Sequence, residues 1–72
     1  MVKVVAEPQY WYTKGLKYYN EKCYGIAIRC FDKYLDFHSG NNYGAWFMKG
    51  NSFYQLREYA KAVYCFNKSI CN

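Results

Sequence analysis

The sequence predicts an all-α fold built from two antiparallel helical hairpins, and three observations support this prediction. The chain of 72 residues nearly repeats itself after a shift of 35 positions. Within each copy the apolar residues recur at intervals of three and four, which is the spacing of one helix face. Hydrophobic residues make up 53% and charged residues 21% of the chain. This composition favours a folded domain over a disordered chain.

The internal repeat divides the chain into units. Residues 10–35 align without a gap to residues 45–70. Self-similarity at this period is typical of repeated helical hairpins. We therefore predict an N-terminal extension over 1–7, a first repeat over 8–40 and a second over 41–72. The identical pairs are Trp11 with Trp46, Lys14 with Lys49, Gly15 with Gly50, Tyr19 with Tyr54, Tyr24 with Tyr59, Ala27 with Ala62, Cys30 with Cys65, Phe31 with Phe66 and Lys33 with Lys68.

The first helix is predicted near residues 8–21. Trp11, Gly15 and Tyr18 follow one another at helical offsets, so they share a face. Pro8 suits the first turn, where its missing N–H removes no hydrogen bond. A glycine within a helix costs about 1 kcal/mol relative to alanine. We therefore expect Gly15 to be there because it lets the following helix approach closely.

The second helix is predicted near residues 24–37, after a tight break at Cys23–Gly25. A short break between two helices favours an antiparallel hairpin. Ala27 is expected to lie opposite Gly15, at the point of closest approach. The apolar face of this helix consists of Tyr24, Ala27, Ile28, Phe31 and Leu35.

The segment HSGNN, which begins at His38, predicts the end of one hairpin and the start of the next. Gly40 or Asn41 can adopt the left-handed conformation that ends a helix, and Asn42 can cap the helix that follows. A histidine at the carboxyl end of a helix is an ordinary structural device, because a cation there complements the helix dipole.

The second hairpin is predicted from helices near 42–56 and 59–71, with a break at Glu58. Repeat stacks normally need three or more units and a polar terminal helix. The last predicted helix is instead apolar on one face, so we expect a longer array or self-association, end to end or by exchange of helices. The residues of this face are Ala62, Val63, Phe66 and Ile70.

The order Trp, Gly, aromatic, Ala and Phe in both units resembles the tetratricopeptide repeat. The chain departs from that pattern at Lys14 and Lys49, where the family often has leucine, and at Tyr34, where it has a small residue. The resemblance implies a right-handed α-solenoid that acts as a non-catalytic scaffold, with a peptide or protein segment bound in its concave groove. The structural motif residues are Trp11, Gly15, Tyr18, Ala27, Phe31, Trp46, Gly50, Phe53, Ala62 and Phe66.

The groove residues follow from helix geometry once the Trp–Gly face is assigned to the hairpin interior. The neighbouring stripe lies about 100° around each first helix. Its rings would supply contact area and its amides would orient an extended peptide. Tyr12, Leu16 and Met48 occupy the positions of the lysine and asparagine clamp that one subset of the family uses for acidic C-termini, so that mode is not expected. The stripe comprises Tyr12, Leu16, Tyr19, Asn20, Phe47, Asn51, Tyr54 and Gln55.

The net charge of +5 permits nucleic acid, an anionic membrane surface or an acidic peptide as a partner. The positive residues are dispersed, which is typical of solvated helix faces. The alternative function is a single-stranded RNA-binding helical repeat module, because a 35-residue helical hairpin also resembles the pentatricopeptide family. The tetratricopeptide pattern fits the Trp and Gly pair better, so a protein partner is preferred and nucleic acid and membranes are not expected.

No catalytic or metal-binding constellation is predicted. His38 is the single histidine, and no motif places it beside Cys30 or Cys71 with an oxyanion site. The cysteines lack the close spacing of zinc sites, and we expect no cofactor. No secretion signal or membrane-spanning stretch is found, so a cytoplasmic location with free thiols is expected. The remaining cysteines are Cys23 and Cys65.

Overall fold

The computed structural model describes residues 9–38 and 42–70, and all regular structure within those ranges is α-helical. The prediction of an all-α fold is therefore confirmed, and each helix boundary lies within two residues of its expected position. Pro8, Gly40 and Asn41 lie outside the described residues, so their predicted roles stay predictions. The helices are α1 (Tyr10–Asn20), α2 (Tyr24–Phe37), α3 (Tyr43–Gln55) and α4 (Tyr59–Ile70).

The turn between α1 and α2 is closed by two backbone hydrogen bonds. The Cys23 N–H donates to the Tyr18 carbonyl at 2.8 Å, and the Lys22 N–H donates to the Tyr19 carbonyl at 2.9 Å. This pattern is the Schellman motif, in which one residue adopts the left-handed conformation. Lys22 is that residue, with φ of 65°. The turn thus lies just before the predicted break, and Gly25 belongs to α2.

The turn between α3 and α4 repeats this geometry at the equivalent positions. Glu58 N–H donates to the Phe53 carbonyl and Arg57 N–H to the Tyr54 carbonyl, both at 2.9 Å. Arg57 has φ of 66°. Two long basic residues therefore occupy a position at which glycine is usual. The sequence repeat is thus also a repeat of backbone conformation.

Gly15 and Gly50 leave space for an aromatic ring from the next helix. A Cβ atom at Gly15 would lie 2.5–2.8 Å from ring atoms of Phe31. At Gly50 it would lie 2.7 Å from two ring atoms of Phe66 and 3.2 Å from the Cβ of Cys65. The expectation of a close approach holds, but the nearest groups are the phenylalanine rings and not the alanines. Both alanines, Ala27 and Ala62, are buried.

The two hairpins pack through α2 and α3. Ile28 on α2 is 9% exposed, and Ala45 and Ser52 on α3 are buried. Because these α3 residues are small, the two helices can approach each other closely. An ion pair between Lys49 and Asp32 also crosses this junction, and the Lys49 side chain is 16% exposed. One hairpin is thus joined to the other by a small apolar core and one partly buried charge pair.

Asn42 occupies the N-cap position of α3, as predicted, but its side chain does not cap that helix. Its amide nitrogen donates to the His38 carbonyl at 3.0 Å and so binds the end of α2. The His38 ring stacks on Tyr34, with centroids 4.2 Å apart and planes inclined by 27°. These contacts tie together the two ends of the segment that connects the hairpins.

Candidate functional site

The α3 half of the predicted groove stripe is open to solvent. Phe47 is 49% and Tyr54 is 54% exposed, and Gln55 is exposed beside them. Asn51 is half-buried between them, with its side-chain nitrogen 3.9 Å from the sulfur of Met48. This stripe offers two accessible rings and two amides along one helix.

The α1 half of the stripe contributes more to packing. The Tyr12 ring lies 5.8 Å from Phe31 and 5.3 Å from Tyr34. A Cβ at Gly44 would lie 2.7 Å from the Tyr12 hydroxyl oxygen, so this tyrosine reaches across to α3. Leu16 is half-buried. Tyr12 therefore joins the two first helices, a role that the periodicity of a single helix could not show.

The same ring pairs recur in both hairpins. Each pair has one ring from the first helix of the hairpin and one from the second. Because early residues of one helix meet late residues of the next, the pairs also show that each hairpin is antiparallel. Asn20, at the end of α1, is exposed beside the turn. The pairs and their centroid distances are Tyr12–Phe31 (5.8 Å), Phe47–Phe66 (5.7 Å), Tyr19–Tyr24 (5.3 Å) and Tyr54–Tyr59 (5.3 Å).

Lysine side chains lie over the two half-buried tryptophans, a feature that the sequence reasoning missed. The ammonium of Lys33 is 5.8 Å from the centroid of Trp11. Those of Lys49 and Lys68 are 4.9 and 5.7 Å from Trp46. A signal was present in the sequence, because each of these lysines is identical in the two repeats. Lys49 lies one turn after Trp46, and Lys33 and Lys68 occupy equivalent positions on the second helix of each hairpin. The contacts are cation–π interactions.

The predicted self-association residues on α4 divide into two groups. Ala62 is buried and Phe66 half-buried, because both face the α3 side of their own hairpin. Val63 is 55% and Ile70 is 77% exposed. The equivalent α2 residues, Ile28 and Leu35, are more buried, and α2 is the helix on which α3 packs. The exposed face of α4 is thus equivalent in sequence to the face of α2 that packs against α3.

Cys30 and Cys65 are buried free thiols at equivalent positions. Burial raises the pKa of both thiols above the ordinary value of 9.0. The positive charges of Lys14 near Cys30 and of Lys49 near Cys65 act in the opposite direction but do not outweigh burial. Both thiols therefore stay protonated near neutral pH and pack as small apolar groups.

In the part of the chain that the structure describes, no group of three or more histidine, cysteine or acidic side chains could hold a metal ion. None of the described helices is long and apolar enough to cross a membrane. Comparisons with protein-family models, with curated proteins and with solved structures found no match to this chain.

Proposed function

We propose that this chain is a non-catalytic scaffold of the tetratricopeptide type, a right-handed α-solenoid that binds a peptide or protein segment along the first helices of its two repeats. The observation that carries the proposal is the open stripe of α3. Phe47 and Tyr54 remain about half exposed although each ring already contacts an aromatic partner in the hairpin. Aromatic rings with one buried and one accessible face are common anchors for protein partners.

The amides beside these rings support a peptide as the ligand. Asn51 and Gln55 lie one turn apart on α3, between and next to the two rings. A side-chain amide offers both a donor and an acceptor, which matches the alternating groups of an extended peptide backbone. Rings would therefore supply contact area and the amides would set the direction of the bound segment.

The contacts of the lysines make the two tryptophans unsuitable as stacking platforms for single-stranded RNA, the alternative partner. Base stacking needs an open aromatic face. Lys33 lies over Trp11 and Lys49 over Trp46, so these indole faces are already in use. A salt titration tests this alternative: binding to an oligonucleotide that falls steeply with salt and shows no sequence preference would indicate only charge attraction.

The proposed setting is the cytoplasm. Cys30 and Cys65 are buried free thiols. Free thiols are the usual state of cysteine in a reducing compartment. Their burial also fits a packing role in each hairpin.

The groove is tested with a peptide selected from a displayed library for binding to the wild-type chain. The double variant Asn51→Ala, Gln55→Ala removes two exposed or half-exposed amides without touching the rings. We expect the double variant to bind the peptide with about tenfold lower affinity, because two hydrogen bonds are lost. The control Asn67→Ala removes an exposed amide from α4 and should leave affinity unchanged. Equal affinities for all three proteins would contradict the groove.

We also propose that the scaffold self-associates through α4, tail to tail. A second copy's α1 does not suit this face. If a second copy's α1 packed on α4 as α3 packs on α2, Lys17 would take the place of the buried Ser52. Asn67 of α4 would take the place of Asp32, so Lys14, the equivalent of Lys49, would meet no carboxylate. The exposed Val63 and Ile70 of two α4 helices can instead cover each other, as α3 covers Ile28. The apolar area removed from water would drive this pairing.

Sedimentation at increasing concentration tests the self-association. The double variant Val63→Lys, Ile70→Lys should remain monomeric at concentrations where the wild type forms dimers. The control Lys14→Glu, on α1, should dimerise like the wild type. A wild-type chain that stays monomeric into the high micromolar range would contradict this part of the proposal, and the peptide groove would stand independently.

A further inference from the structure

A cleft of about 350 Å³ opens beside Trp11 on the first hairpin. Its volume falls at the lower end of the range found for ligand sites, about 300–1,000 Å³. Asp32 pairs with α3, whereas the residues that line the cleft belong to α1 and α2. The cleft is therefore separate from the junction between the hairpins. Its lining residues are Trp11, Ile26, Arg29, Cys30 and Lys33.

The second hairpin differs from the first at two of the lining positions. Tyr64 stands where the first hairpin has Arg29, and its ring lies edge-on to Trp46 with centroids 6.1 Å apart. Lys61 stands where the first hairpin has Ile26, and it pairs with Glu58 at 3.0 Å. These groups thus have partners within the second hairpin. The combination of Ile26 and Arg29 is a property of the first repeat and not of the shared hairpin.

The rim of the cleft carries positive charge that the described part of the chain does not neutralise. Within residues 9–38 and 42–70 the ion pairs join other residues, and neither Arg29 nor Lys33 takes part in one. Both side chains are exposed. The guanidinium of arginine presents a planar set of donors that fits a carboxylate in a bidentate manner.

The walls of the cleft are apolar. Trp11 is half-buried and Ile26 is 48% exposed, and the buried Cys30 of α2 also lines the cleft. An isoleucine with this exposure beside an indole leaves apolar surface in contact with water, and covering that surface is favourable. The cleft thus combines an apolar interior with a cationic rim.

We propose that this cleft binds a short acidic peptide in which one aliphatic side chain is flanked by aspartate or glutamate. The aliphatic side chain would lie against Trp11 and Ile26, and a neighbouring carboxylate would accept hydrogen bonds from Arg29. A nucleic acid base fits less well than an aliphatic side chain, because stacking needs a whole open aromatic face. Lys33 lies over the indole of Trp11, and Tyr10 packs edge-on against the same ring at 5.0 Å. This site is independent of the groove proposed above.

Trp11 itself reports the binding when Trp46→Phe removes the other indole. The probe is the blocked peptide Glu-Asp-Leu-Asp-Glu, and its neutral counterpart is Gln-Asn-Leu-Asn-Gln. We expect a saturable change in Trp11 fluorescence with the acidic peptide and affinity at least about tenfold lower for the neutral one. Arg29→Gln should lower the affinity for the acidic peptide by about tenfold. The matched control Arg57→Gln removes the same charge from a hairpin turn and should change the affinity by less than about twofold.

A second variant, Arg29→Tyr, gives the first hairpin the residue of the second. Its ring should pack on Trp11 and abolish peptide binding, while the helical circular dichroism and the melting temperature stay at or above their wild-type values. Any of three results would overturn the proposal: unchanged binding by folded Arg29→Tyr, equal losses from Arg29→Gln and Arg57→Gln, or equal affinity for the neutral peptide. Displacement of the peptide by oligouridylate at lower concentrations than by free acidic peptide would also overturn it.

Discussion

Gly15 has no room for a side chain in the first hairpin. The ring atoms that a Cβ would meet belong to Phe31, which is fully buried. We expect Gly15→Ala to lower the free energy of unfolding by about 1–3 kcal/mol, because the ring has no free space to move into. Denaturant unfolding measures the change.

Gly25 is the matched control for this substitution. It lies in α2, and a Cβ added there would meet nothing within 4 Å. Gly25→Ala should therefore raise the free energy of unfolding, by up to about 1 kcal/mol, through helix propensity alone. If both alanine variants were more stable than the wild type, the close packing of Phe31 on Gly15 would be wrong.

Arg57 carries an avoidable conformational cost. A left-handed conformation costs an L-residue about 1–2 kcal/mol, and glycine adopts it freely but loses more chain entropy on folding. We expect Arg57→Gly to raise the free energy of unfolding by about 0.5–1 kcal/mol. Arg57→Ala keeps the cost and should stay near the wild type. A stabilisation by alanine equal to that by glycine would show that the positive φ is not the cause.

The buried thiols give the stability a dependence on alkaline pH. Their pKa is raised in the folded chain, so the unfolded chain loses the thiol proton first. The stabilisation is complete below the ordinary pKa of 9.0 and is lost as the pH rises through the higher folded pKa. Between about pH 8 and pH 10 the double variant Cys30→Ala, Cys65→Ala should lose less stability than the wild type. The control Ser69→Ala alters a buried group that does not titrate, so its stability should change with pH as that of the wild type does. If the stability of the cysteine variant also changed with pH as the wild type does, burial of the two thiols would be contradicted.

At the scale of the helices, the junction between α2 and α3 depends on one charge pair. Asp32→Asn would leave the ammonium of Lys49, whose side chain is 16% exposed, without its carboxylate partner, although it would still lie over the ring of Trp46. We expect a loss of about 1–2 kcal/mol, between the values for exposed and fully buried pairs. Asp36→Asn, at an exposed position of the same helix, should change stability by less than about 0.5 kcal/mol. Equal effects of the two variants would mean that the pair does not stabilise the junction.

Periodicity was sufficient to place the helices but not the contacts between them. The recurrence of Trp11, Gly15 and Tyr18 at helical offsets defines a face whatever packs on it. Which side chain fills the space at Gly15 depends on the three-dimensional offset of the two helices, and it is Phe31 and not Ala27. The left-handed residues were missed because Lys22 and Arg57 have side chains that do not favour that conformation, which belongs to the Schellman hydrogen bonds at the end of each first helix.

At the scale of the whole molecule, the groove could be predicted only as a stripe on each first helix. Rotation around one helix correctly leaves Phe47 and Tyr54 exposed. It could not show that Tyr12 reaches the second hairpin, because that contact joins residues 32 positions apart, at Tyr12 and Gly44. The cleft beside Trp11 was not predicted either, since it depends on how α1 and α2 are set side by side.

We propose above that a peptide binds along the first helices of the two repeats. The most direct measurement is a map of amide chemical-shift changes on the full chain when a library-selected peptide is added. We predict that the largest changes follow the α3 stripe from Phe47 to Gln55 and continue at Leu16 and Asn20 on α1. Changes confined to α4, or spread evenly over the exposed lysines, would contradict it.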